Sequence, residues 1–394
     1  MRIRRKLLLF GTLLQNCPFE STARSGILCK EAQDAQFFIR DEEKRRNEIL
    51  EMNELRRAII RSAVQKSIRE IRQDPKRGIR KMVDLALHFS HGRFQRKILE
   101  VMQKELSNPS SAYYSIVTDL AANVKPENLE QFGMDLGYNS WTHGAQIIRN
   151  HEAEHGYNVP WCLVLDLRQG MGFDVGEVMT QGEKMGIYAY FVFAGNEEQT
   201  ETLCSVFHTH PDCAVFLLLP DAELPRVNIE NAPNVMTFLP VQDDGTTESA
   251  KELLQKQALF GLWMRYDGGN AQRVLAGEIE NLAGGMGAPL VLAVPDEACE
   301  QEVRSQVSDC YRARREQKNT PALLADFYTA IAEIDCVISV ESCLLGICSD
   351  GTIFTEKGRN PHFSVSNISL EDILMCTMPR VTYDAAQQPE GENK

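Results

Sequence analysis

Three groups of residues in this chain have types and spacings that could do chemistry. His151-Glu152-Ala153-Glu154-His155 is a literal H-E-x-x-H. On a helix it places two imidazoles on one face for zinc and a carboxylate between them as general base, the arrangement of a zinc metallohydrolase. Gly156 follows at once and ends such a helix, Glu154 adds a charge, and no downstream helix offers an obvious third ligand. The alternative is a polar helix end with His155 at the negative end of the dipole. Cys336, Cys343 and Cys348 lie close together in sequence, and thiolates are metal-ligand types. The third group, Gly195-Asn196-Glu197, follows an apolar run and sits where a strand hands over to a helix.

The elements that must position these residues centre on Val159–Glu198. Val159 to Leu167 and Ile187 to Ala194 are apolar runs without alternation, flanking a helical stretch that ends Gln181-Gly182-Glu183-Lys184-Met185-Gly186. Strands buried on both faces read this way, so the segment is a βαβ unit of a parallel sheet covered by helices. In such units chemistry gathers at the carboxyl ends of the strands, here after Leu167 and at the turn Ala194 to Glu197. Further apolar runs at 213–219, 235–241, 259–266 and 289–294 continue the pattern to six strands. Gly284-Gly285-Met286-Gly287 lies before the sixth strand, the wrong rim for a phosphate loop, and reads as a helix C-cap and turn. His208 and His210 read as polar trim.

Upstream, apolar residues from Ile49 through Ile71 recur at three- and four-residue steps, predicting a long amphipathic helix that stops before Asp74-Pro75. Helices are expected over 76–89, 94–106, 111–122 and 126–136. The division expected is an N-terminal extension (1–40), a helical domain (41–158), an α/β barrel (159–330), a C-terminal extension with hairpin and helix (331–383) and a loose polar tail (384–394).

Together these features resemble the radical S-adenosylmethionine (radical SAM) superfamily. The carriers are Val159-Pro160-Trp161, the helix end Gln181 to Gly186, the junction Gly133 to Asn139 followed by Trp141-Thr142-His143-Gly144-Ala145, the turn Ser349-Asp350-Gly351-Thr352, and Asn367-Ile368-Ser369-Leu370-Glu371-Asp372-Ile373-Leu374. The resemblance implies a partial (βα)6 TIM-like barrel preceded by an all-helical N-terminal domain. It also implies cofactor contacts at Gly195, Asn196 and Glu197, with Glu197 meeting the cofactor's amino group. Family members carry CxxxCxxC after the first strand, and those thiolates hold a [4Fe–4S] cluster. Between Leu167 and Gly176 this chain has no cysteine, and the family's cysteine after the hairpin is replaced by Phe354-Thr355-Glu356-Lys357. The expectation is therefore a catalytically degenerate protein with no catalytic residues, no metal, no [4Fe–4S] cluster and at most weak S-adenosylmethionine binding. It would act as a binding or regulatory partner of an active radical SAM homologue or another protein. A residual S-adenosylmethionine-using enzyme and the zinc hydrolase are the alternatives.

Composition narrows the partners. Of 394 residues, 43% are hydrophobic and 25% charged, enough for two or three domains with a substantial core. The net charge of −13 is uneven: residues 1–110 hold 24 Lys and Arg against 14 Asp and Glu, and the remainder 18 against 41. No aromatics interleave with the basic residues as nucleic-acid stacking platforms would, so nucleic acid is not expected. The start MRIRRKLLLFGTLLQNC imitates a secretory signal, but Gly11 interrupts the apolar run and no small-residue cleavage site follows. No run reaches the ~20 apolar residues of a membrane span. Eleven scattered cysteines, an odd number, suit buried thiols in a reducing cytoplasm.

Overall fold

The computed structural model describes residues 54–89, 93–224, 232–241, 245–315, 320–339 and 341–380. The extension 1–40, the polar tail and the start of the first amphipathic helix lie outside them. The chain separates into two units, 1–60 and 61–394, and the second carries everything below.

The described residues between 61 and 155 form helices joined by short turns. The helix ending at residue 73 (α1), Pro75–Phe89 (α2), Arg93–Leu106 (α3) and Ala112–Asn123 (α4) enclose a small core around Ile71, Ile79, Val83, Leu106, Tyr114 and Ala121. Pro126–Gly133 (α5) opens with proline at its first position, where the missing N–H costs nothing. The junction that carries the resemblance is a π-helix, Met134–Gly144, running into α6, Ala145–His155. A glycine is required at its end. A side chain on Gly144 would meet the Gly186 carbonyl at 2.4 Å, and one on Gly186 the Gly144 carbonyl at 2.5 Å. The two segments thus approach backbone to backbone, and Phe132, Ala145 and Ile148 join the core of the sheet.

That core surrounds a sheet of ten strands in the order β10-β9-β8-β1-β2-β3-β4-β5-β6-β7. The six expected strands are Cys162–Asp166 (β1), Ala189–Phe193 (β2), Ala214–Leu218 (β3), Val235–Pro240 (β4), Phe260–Tyr266 (β5) and Leu290–Pro295 (β6), each parallel to the next. All but Asp166, Arg265 and Leu290 are buried, which explains runs without alternation. The helices between them are Val175–Met185 (α7), Glu197–Thr209 (α8), Thr246–Gln255 (α9), Ala271–Leu275 (α10) and Glu278–Gly285 (α11).

The parallel run exceeds six. After Gln301–Arg315 (α12), Leu323–Asp326 (β7) pairs with β6, and Leu345–Cys348 (β8) pairs in parallel with the far side of β1. The expected boundary at 330/331 falls inside Phe327–Ile338 (α13). Thr352–Thr355 (β9) and Gly358–Ser364 (β10) are antiparallel, the first turn using Gly351 at φ 82°, and Leu370–Thr377 (α14) follows a Ser369 cap. The Val-Pro-Trp signature has a structural purpose. Trp161 is buried at the entry to β1, its indole donating to the Ile331 carbonyl (3.1 Å) and its backbone N–H to Asp335 Oδ1 (3.2 Å).

Among the described residues no helix is long and apolar enough to cross a membrane.

Candidate functional site

The carboxyl ends of β1 to β5 enclose a cavity of about 490 Å³. Its floor is apolar, formed by Phe193, Leu218 and Trp263, and Trp263 is held by an indole bond to the Leu219 carbonyl (3.0 Å) and an edge-on contact with Phe193. Its polar wall is cationic: Arg168, Arg265 and Arg273 all line it. Their acidic partners do not. Asp166 takes Arg168 in a fork, with Nε to Oδ1 at 2.7 Å and an η-nitrogen to Oδ2 at 2.6 Å. Arg273 Nε meets Glu278 at 2.9 Å, and Arg265 reaches Asp296 only at 3.7 Å. Neither these three acids nor Glu297, 4.0 Å from Arg168, is among the lining residues. The fork raises the Arg168 guanidinium further above its ordinary value, and its carbon lies 5.7 Å from the Phe193 ring centre. This cation is fixed in place.

The short loop after β1 is stapled to the C-terminal hairpin. Ser349 Oγ donates to the Asp166 carbonyl (2.8 Å) and accepts from the Gln169 N–H (3.0 Å), while the Gly172 N–H donates to the Ser349 carbonyl (2.7 Å). A side chain at Gly172 would stand 2.9 Å from that carbonyl, which explains the glycine.

Three crystal structures of Streptococcus suis SuiB are similar to this chain. The one bound to its precursor peptide SuiA and the one bound to S-adenosylmethionine each have 11% identity and a TM-score of 0.41, covering 59% of this chain and 69% and 68% of theirs. SuiB alone has the same identity and TM-score over 75% of this chain and 81% of its own. At this level the likeness assigns neither ligand nor reaction. The chain matches no family model and no curated protein.

The expected cofactor residues divide. Gly195 lines the cavity; its N–H donates to Gln199 Oε1 (2.9 Å), and a side chain there would lie 2.8 Å from the Leu167 and Arg168 carbonyls. Asn196 is the N-cap of α8, its side chain accepting from the Gln199 N–H (2.9 Å). Glu197 is exposed in the first turn of α8, where a carboxylate favours the helix dipole, and does not line the cavity. An iron–sulfur cluster does not fit: no cysteine lines the cavity, and guanidinium groups stand where thiolates would be needed. Glu197, the expected partner of the S-adenosylmethionine amine, lies outside the lining.

The suggested thiolate group is dispersed. Cys336 is exposed on α13, Cys348 ends β8, and Cys343 is buried with its Sγ 3.9 Å from Asp335 Oδ1. Burial raises all three thiols above their ordinary values. Asp335 itself is fully buried and pushed up to about 8 by desolvation, against the lowering effect of the Trp161 and Cys343 N–H groups. His210 pairs through Nδ1 with Glu183 at 2.7 Å and belongs to no group of three possible ligands among the described residues.

The H-E-x-x-H segment lies on α6, away from the cavity lining. Glu152 faces the interior, 1% exposed, accepting from the Val159 N–H (3.1 Å) and Ser339 Oγ (2.7 Å), with Arg380 3.4 Å away. A carboxylate so placed pins α6 to the start of β1 and has no route to a zinc-bound water. The two histidines turn outward with rings stacked at 4.2 Å, and α14 brings Glu371 beside them, the third ligand type that sequence alone does not offer.

Proposed function

We propose that this chain is a binding protein on a radical SAM-like α/β scaffold, without iron–sulfur radical chemistry, whose cavity holds an anionic small molecule. The observation that carries the reading is the trio Arg168, Arg265 and Arg273 lining one cavity at the carboxyl ends of the strands with their acidic partners outside the lining. Arginines present forked donors that match carboxylate and phosphate oxygens, and the apolar floor gives an organic body somewhere to lie. This reading keeps a regulatory role toward an active radical SAM homologue, or another protein partner, as its biological setting. It replaces residual S-adenosylmethionine chemistry and zinc hydrolysis.

Trp263 supplies the test. Its fluorescence, titrated with pyrophosphate and with citrate at low salt, should change saturably, and the response should weaken at least tenfold in Arg265→Gln and Arg273→Gln. Calorimetry with S-adenosylmethionine should give binding no tighter than high micromolar, unchanged in Glu197→Ala. A low-micromolar constant that Glu197→Ala abolishes, with no response to either anion, would overturn the proposal.

A further inference from the structure

Away from the cavity, the C-terminal turn of α6 and the first turn of α14 bring together three side chains that no other role absorbs. His151, His155 and Glu371 offer ligand atoms that all lie within 4.8 Å of one another, the one such group of His, Cys, Asp and Glu found among the described residues. The two rings stack, and His151 Nε2 stands 3.9 Å from Glu371 Oε1. His155 Nδ1 contacts the His151 carbonyl at 2.9 Å. That bond makes Nδ1 the protonated nitrogen and leaves the Nε2 lone pair directed away from the helix backbone, the way outer partners fix the tautomer of ligating histidines. Tyr157, buried beneath, places its hydroxyl 2.5 Å from His151 Nε2 and can turn to the Glu371 carboxylate when His151 takes a metal.

We propose that His151, His155 and Glu371 bind a divalent transition metal of the zinc class as a structural clasp. Two imidazoles and a carboxylate are the borderline ligands these ions select. Ligand atoms around tetrahedral zinc stand about 3.3 Å apart, so the site must contract, which rotation of the exposed His155 and Glu371 side chains allows. The clasp is not hydrolytic, because the Glu152 carboxylate is held inward by Ser339 and Val159. It has a mechanical purpose. The segment after α6 already pairs with the chain after α14, through the Tyr157–Pro379 bridge and the Asn158 N–H to Met378 carbonyl bond (2.8 Å), and a metal would lock that junction from the other side.

The test is titration of the full-length protein with Co²⁺, followed by d–d absorption, and with Zn²⁺, followed by calorimetry. One metal per chain is expected, with a cobalt spectrum lacking thiolate charge transfer and with zinc raising the melting temperature. His155→Ala and Glu371→Gln, both at exposed positions, should each weaken binding at least about tenfold, since even outer partners of a site are worth 10- to 100-fold. Glu154→Gln should bind as the parent does. Substoichiometric metal, a thiolate band, or affinity unchanged in both ligand variants of normal circular dichroism would each overturn the proposal.

Discussion

Asp335 sets a pH limit on the stability of this fold. Its carboxyl is fully buried and carries a folded-state pKa of about 8, against about 3.9 in an unfolded chain. Between those values the native state holds one more proton than the unfolded state, so stability is greatest at low pH and is lost as pH rises toward 8. Integrating that difference from about pH 5 to about pH 8 gives a loss of about 3.5 kcal/mol from this one group. Asp335→Asn removes the titration but keeps a neutral acceptor. Trp161 donates its N–H to Oδ1 and Cys343 to Oδ2, and an amide has an oxygen at only one of those two positions, so the variant should begin about 1–3 kcal/mol less stable at low pH. The two curves should then converge and cross, because the stability of the variant relative to the parent rises by about 3.5 kcal/mol over the range. Urea unfolding of both proteins at a series of pH values measures this directly. A difference that stays flat within about 1 kcal/mol from pH 5 to 8 would refute the reasoning.

Anaerobic reconstitution with ferrous iron and sulfide should leave no stoichiometric four-iron chromophore after gel filtration; one that survives would contradict the reading of the β1 loop and call for serine replacements of Cys336, Cys343 and Cys348. Arg314→Met should cost about 3–5 kcal/mol, because it strands the buried Glu280 carboxylate that the guanidinium now pairs with while also donating to the Val274 and Leu275 carbonyls. Adding Glu280→Leu should recover most of that loss, and a double variant no better than the single would show that the packing, not the charge, was at stake.

The central strands were legible in the sequence because a strand buried on both faces leaves an uninterrupted apolar run, and Leu163-Val164-Leu165 or Tyr190-Phe191-Val192 admit few other readings. Leu323–Asp326 was not. It is four residues long, half of them only partly buried, and its strand character comes from the waiting edge of β6. The exposed strand Gly358–Ser364, with Arg359, Pro361 and His362, likewise owes its place to its neighbour. Of the candidate cofactor turn, Gly195 reached the cavity while Glu197 became part of a helix start, a role that the Asn196 cap predicts from local rules alone. The arginine trio had no local signature. Arg168 follows β1, whereas Arg265 lies near the end of β5 and Arg273 on α10 just beyond it, and only the sheet brings the first to the other two. Glu371 was visible as part of a helix, but its meeting with His151 and His155 is set by how α14 docks.

The pairing of β8 with β1 has a consequence for how the chain is made. Leu163 takes Leu345 as its partner, 182 residues later. At synthesis rates of about 5–20 residues per second, that edge of β1 waits roughly 9–36 s for its neighbour. Throughout that interval an apolar strand with unsatisfied backbone groups is open to any passing chain. Trp161 cannot shield it, since its own anchors Ile331 and Asp335 also emerge late. A chain stopped at residue 339 would keep that edge permanently, and should aggregate or bind a chaperone where the full chain does not.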